Sequence, residues 1–97
     1  MTMTKEEAEQ LSIVFLQIAG RLNDTAAFVR DKDGEENWNS YRRAVGKAMV
    51  EVFDLGEQLW RRFPELRPET LGGPYKVDIA IYEPSFYDWD GRQEPQG

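Results

Sequence analysis

The stretch Tyr41-Arg42-Arg43-Ala44-Val45-Gly46-Lys47-Ala48-Met49-Val50-Glu51-Val52-Phe53-Asp54-Leu55-Gly56-Glu57-Gln58-Leu59-Trp60-Arg61-Arg62-Phe63 decides the architecture. Its apolar residues Tyr41, Val45, Ala48, Val52, Leu55 and Leu59 fall at steps of four, three, four, three and four. That spacing keeps one seam of a helix facing a partner. Ala44, Met49, Phe53, Gly56, Trp60 and Phe63 flank the seam. The apolar face is therefore broad, as a core-facing helix needs, rather than the narrow stripe of a two-stranded zipper. The helix ends at Phe63, because Pro64 disfavours helical geometry in the residue before it.

Upstream, Asp31-Lys32-Asp33-Gly34-Glu35-Glu36-Asn37 is polar and charged and reads as a turn between helices. Asn37 or Asn39 is the expected cap of the central helix, which then spans about 38–63, and Trp38 lies at the junction. Before the turn, Ala8, Leu11, Phe15, Ile18 and Leu22 repeat at three-four spacing, with Val14 and Ala19 beside them. This predicts a first amphipathic helix over about 4–30. Thr4-Lys5-Glu6-Glu7 has the form of a capping box at its start. Asn23-Asp24-Thr25 could cap a fresh start, but one continuous helix is preferred. The short turn makes the two helices antiparallel neighbours.

Downstream, 64–74 carries three prolines and two glycines and reads as two short turns. Tyr75, Val77, Ile79 and Ile81 then alternate with Lys76, Asp78, Ala80 and Tyr82. Period two with β-branched residues on one side predicts a strand or extended segment over 75–82. An aromatic-acidic tail follows over 83–97. The expected fold is mainly α, one domain over 1–97: an antiparallel hairpin of two long helices, short turns and one C-terminal strand. Broad stripes on both helices predict that a second hairpin packs on the first, giving a homodimeric four-helix bundle. The expected interface is Tyr41, Val45, Ala48, Val52, Leu55, Gly56 and Leu59.

Composition narrows the function classes. The 97 residues contain no cysteine and no histidine. That removes the usual thiol nucleophile, the commonest general base and the commonest transition-metal ligand. The formal charge is −6, from 18 acidic and 12 basic residues. This disfavours nucleic-acid backbone, which is bound by Lys and Arg, and suits a basic partner. No apolar run reaches the ~20 residues of a membrane span. The polar, acidic start is unlike a secretory leader, so a cytoplasmic location is expected.

Candidate chemistry is sparse. Asp31-x-Asp33-Gly34 fails the calcium-loop pattern, since aligning Gly34 to its sixth position puts Val29 first and Ser40 last. Glu51, Asp54 and Glu57 are spaced by three on the central helix but read as a solvated face, with Lys47 and Arg61 four residues away for intrahelical pairing. Arg42-Arg43 with Lys47, and Arg61-Arg62, are too short and too surrounded by acids for a phosphate site. Gly72-Gly73-Pro74 lacks the Lys and the helix of a phosphate loop. Neither a cofactor nor a metal site is expected.

The aromatic-acidic segment is the feature that points outward. Tyr82, Glu83, Phe86, Tyr87, Asp88, Trp89 and Asp90 combine interface anchors with charges that steer a basic partner. The alternative is that these aromatics fold back over the hairpin to complete a thin core. The expected function is a non-catalytic protein-binding protein. In size, charge and surface it is of the type of toxin-neutralising immunity proteins and secretion chaperones, meeting a basic or partly unfolded protein. No motif ties the chain to a named family. The competing classes are a self-associating structural subunit and, last, a carboxylate-based enzyme or small-molecule binder.

Overall fold

The computed structural model describes residues 2–88. Two helices make up most of it: α1, Lys5–Asp33, and α2, Glu35–Arg62. They pack antiparallel as a hairpin. At 1.5 Å per residue α1 is about 43 Å long, and it sets the 48 Å length of a body only 22 Å thick. That thickness is about two helix diameters. Three single 3-10 turns follow, at Pro64–Leu66, Glu69–Leu71 and Ile79–Tyr82.

Local chemistry explains the helix limits. The Thr4 hydroxyl accepts from the Glu7 amide at 3.1 Å, and the Glu7 carboxylate accepts from the Thr4 amide at 2.8 Å. The capping box expected from Thr4 and Glu7 is thus formed. α1 runs unbroken through Asn23-Asp24-Thr25, where the Thr25 hydroxyl bonds back to the Leu22 carbonyl at 2.7 Å.

The turn is shorter than the 31–37 read from composition. Only Gly34 separates the helices, at φ 89° in the left-handed region that favours glycine. The flanking charges belong to helix ends instead. Arg30 and Lys32 lie in the last turn of α1, and Glu35 and Glu36 in the first turn of α2. These four sit where the helix dipole favours them, while Asp31 and Asp33 at the same end of α1 do not, and Asp31 is paired with Arg30. Asn37 does not cap α2. Its side-chain amide donates to the Asp33 carbonyl at 3.2 Å, satisfying the end of α1.

The core lies toward the open end of the hairpin, away from Gly34. Trp60 is fully buried there, with Ala8, Leu16, Leu59 and Leu66. Its indole N–H donates to the buried Ser12 hydroxyl at 2.9 Å. A buried polar group left without a partner costs roughly 1–3 kcal/mol, so this pairing is what permits Trp60 at full burial. The Trp60 ring folds back over Gly56, one turn earlier. A Cβ at residue 56 would stand 2.6 Å from Trp60 Cη2.

The strand expected over 75–82 is not formed, and no strand occurs among the described residues. Tyr75 makes one isolated bridge to Pro68. Residues 76–78 are extended without a ladder, and Ile79–Tyr82 is a 3-10 turn opened by the Asp78 carboxylate on the Ala80 amide. The alternation nevertheless has a physical origin. Tyr75 and Val77 pack on the core while Lys76 and Asp78 face solvent. A chain lying extended over a helix alternates as a strand does, because period two belongs to the extended backbone and not to the sheet. The 3-10 turn then breaks the register. Ile79 is 73% exposed, while Ile81 and Tyr82 turn inward.

Two glycine substitutions separate packing from propensity. Gly46 is exposed and nothing lies within 4 Å of a Cβ built there. Gly46→Ala should therefore stabilise by up to about 1 kcal/mol. Gly56→Ala gains the same propensity but forces Trp60 from its seat, at a cost of about 1–3 kcal/mol. Thermal unfolding should show a raised Tm for the first variant and a lowered one for the second. Equal shifts would refute the seating of Trp60 on Gly56.

Candidate functional site

Two surfaces stand out. The first is the contact between α1 and the chain beyond Tyr75. This segment runs along α1 in the same direction as the helix. The Tyr75 hydroxyl donates to Glu9 Oε2 at 2.7 Å. Further on, Gln17 Nε2 donates to the Ile81 carbonyl at 2.8 Å, and Arg21 Nη2 to the Pro84 carbonyl at 3.3 Å. Asp24 Oδ2 accepts from the Phe86 amide at 3.3 Å, and the Tyr87 hydroxyl donates to Asp31 Oδ2 at 2.7 Å. From Glu9 to Asp31 is about 33 Å of helix. The segment covers this length as an extended stretch, the 3-10 turn at Ile79–Tyr82 and a second irregular stretch.

The aromatics expected to face a partner lie on this path. Tyr82 is half-buried against Gly20, where a Cβ would stand 2.7 Å from its ring. Phe86 and Tyr87 pack on Phe28 with ring centroids 5.2 Å and 5.3 Å away. Phe86 remains 51% exposed. Glu83 and Asp88 are exposed. Trp89 and Asp90 lie outside the described residues. Sequence reading did not single out the α1 partners Glu9, Gln17, Arg21, Asp24 and Phe28. A signal existed: Gln17, Arg21 and Asp24 follow i, i+4, i+7 on one edge, a polar row beside an apolar stripe.

The second surface is on the hairpin itself. Leu11, Val14 and Ile18 are exposed at i, i+3 and i+7 of α1. On α2, Leu55 is 52% exposed and Tyr41 is also exposed. The expected interface residues are divided accordingly. Val45, Gly56 and Leu59 are buried inside this chain, Ala48 and Val52 are half-buried, and Tyr41 and Leu55 are open.

The carboxylates of α2 do not converge. Glu51 and Asp54 are exposed. Glu57 is held by the Arg67 guanidinium through two bonds, one of them 2.7 Å, from Nη2 to Oε1. The hydrogen bond and charge of Arg67 pull the Glu57 carboxyl below its ordinary value. Asp31 is also lowered, first by its hydrogen bond from Arg30 and then by that from Tyr87. Both groups stabilise the fold fully above the ordinary carboxylate range, and that contribution is lost as pH falls through the lowered folded value. No helix among the described residues is long and apolar enough to cross a membrane.

Tyr75 shifts the other way. Its bond to Glu9, its burial and the Glu9 charge push its hydroxyl up to about 12. The neutral phenol is thus favoured in the fold. Its contribution is complete below pH about 10 and lost as pH rises toward 12. Ultraviolet titration should show one tyrosine ionising late, and Tyr75→Phe should remove that late step. A late step that survives the substitution would sink the assignment.

No protein-family model, curated protein or solved structure matches this chain.

Proposed function

We propose that this chain is a non-catalytic protein-association module that works as a homodimer. In this reading a second hairpin seats on the face formed by Leu11, Val14 and Ile18 of α1 with Tyr41 and Leu55 of α2. Together the two hairpins make a four-helix bundle. The observation that carries the reading is that large apolar side chains stay exposed on both helices, Leu11, Val14 and Ile18 on α1 and Tyr41 and Leu55 on α2. Helices that bury only one side need no second stripe, and a soluble surface rarely keeps several large apolar groups in line without an occupant.

The remaining surface of such a dimer is acidic. With a formal charge of −6 per chain, it suits a basic protein partner, as immunity proteins and secretion chaperones require. The folded-back position of Tyr82, Phe86 and Tyr87 shifts weight from the tail to the hairpin face as the main contact. Catalysis remains the weakest reading, since Glu57 is neutralised by Arg67 and the chain has no histidine or cysteine.

Sedimentation equilibrium across a hundredfold range of concentration tests the proposal. The expected mass is that of a dimer at the upper end. Ile18→Glu combined with Leu55→Glu should give a monomer of unchanged helix content, because both residues are already exposed. A wild-type mass that stays monomeric throughout would refute self-association.

A further inference from the structure

The strap from Ile79 to Asp88 lies on α1 in an unusual way. None of the main-chain to main-chain hydrogen bonds found among the described residues joins it to the helices. Instead, α1 side chains bond its backbone. Gln17 and Arg21 donate to the carbonyls of Ile81 and Pro84, and Asp24 accepts from the amide of Phe86. Rings fill the positions between. Tyr82 occupies the site left open by the missing Cβ of Gly20, and Phe86 and Tyr87 rest on Phe28. This is how a groove reads an extended peptide: polar groups hold the main chain, which any sequence offers, and sockets select side chains. The fit is incomplete. A cavity of about 130 Å³ remains between the strap and Gln17, Arg21 and Asp24.

We propose that this edge of α1 is a binding groove for an extended segment of a partner protein, with the strap as its built-in occupant. The partner segment has the strap's chemistry: one aromatic ring for the Gly20 socket and a second four or five residues later for Phe28. The strap inhibits the site until the partner displaces it. Its attachments are side-chain bonds that are exposed or part-buried, and a ring cluster that is half open. Release also lifts Ile81 and Tyr82 from the Trp60 cluster, while Ala8, Leu16, Leu59 and Leu66 keep the hairpin's own core around Trp60. Arg21 lies one helical turn beyond Ile18, so the groove borders the stripe of Leu11, Val14 and Ile18.

The test uses the full chain and a fluorescent peptide of residues 79–88. In Tyr82→Ala/Phe86→Ala the strap loses its rings while the groove is intact. The peptide should bind this variant at least about tenfold more tightly than wild type, where the docked strap leaves few molecules competent. Adding Gly20→Ala fills the socket and should abolish that gain. Helical circular dichroism should match wild type in all variants. Absence of binding to the double variant would overturn the proposal, as would equal binding when Gly20→Ala is present. Loss of helix in the double variant would also overturn it, by making the strap part of one cooperative core. Amide exchange on wild type provides a second reading. The Phe86 amide should exchange well before those of α1 and α2 around Ser12 and Trp60, and exchange at one common rate would count against release.

Discussion

One buried hydrogen bond, from the Trp60 indole to the Ser12 hydroxyl, fixes the register of the hairpin. Apolar faces alone tolerate sliding by a turn, since one stripe resembles the next. A donor with a single N–H does not. The 48-residue separation between its partners ties the start of α1 to the end of α2. Other contacts follow from Trp60 being in place. Gly56 must be small beneath the ring. Leu66 closes over the same cluster from the first 3-10 turn. Arg67 lies 5.9 Å from the ring centroid while its guanidinium clasps Glu57. At the opposite end the helices need only Gly34, because the register is already set.

The two sides of α1 are finished by different chemistry. Toward α2 it offers Ala8, Ser12, Leu16, Ala19 and Ala27, small and medium residues that let the helices approach. Toward the strap it offers polar side chains, one glycine and the ring of Phe28. The first kind of surface excludes water and gains with area. The second is held by bonds that water can replace, each worth about 1 kcal/mol net. A single helix thus carries a water-excluding contact on one side and a more polar contact on the other.

Long-range periodicity in the sequence was sufficient for the helices and insufficient for what lies between and beyond them. Tyr41 to Leu59 and Ala8 to Leu22 each repeat over several turns, and such repeats survive local exceptions. The segment 31–37 was misjudged because charges at helix ends and charges in loops look alike until a dipole is assigned to them. At 75–82 the alternation reported burial correctly as far as Asp78. It did not report what lay beneath, and a helix surface serves an extended chain as well as a neighbouring strand does. Gly56 illustrates a third limit. A glycine in a helix interior marks a close approach without saying of what, and here the approaching group is Trp60 of the same helix. Gln17, Arg21 and Asp24 form a polar row that the sequence shows, but their partners are backbone atoms of the strap, which no side-chain pattern marks.

The direction of the strap also bears on how the chain carries load. Lys5 starts α1 at the open end of the rod, and the strap delivers Asp88 to the Gly34 end, beside Asp31. Tension drawn between Lys5 and Asp88 along the long axis therefore pulls the strap parallel to the helix beneath it. The bonds at Gln17, Arg21, Asp24 and Asp31 are then sheared together. A pull at right angles on Asp88 meets them singly, beginning with Tyr87 on Asp31. The same few contacts resist stretching as a group and yield to lifting in sequence, so the molecule is stiff along its axis and soft across it.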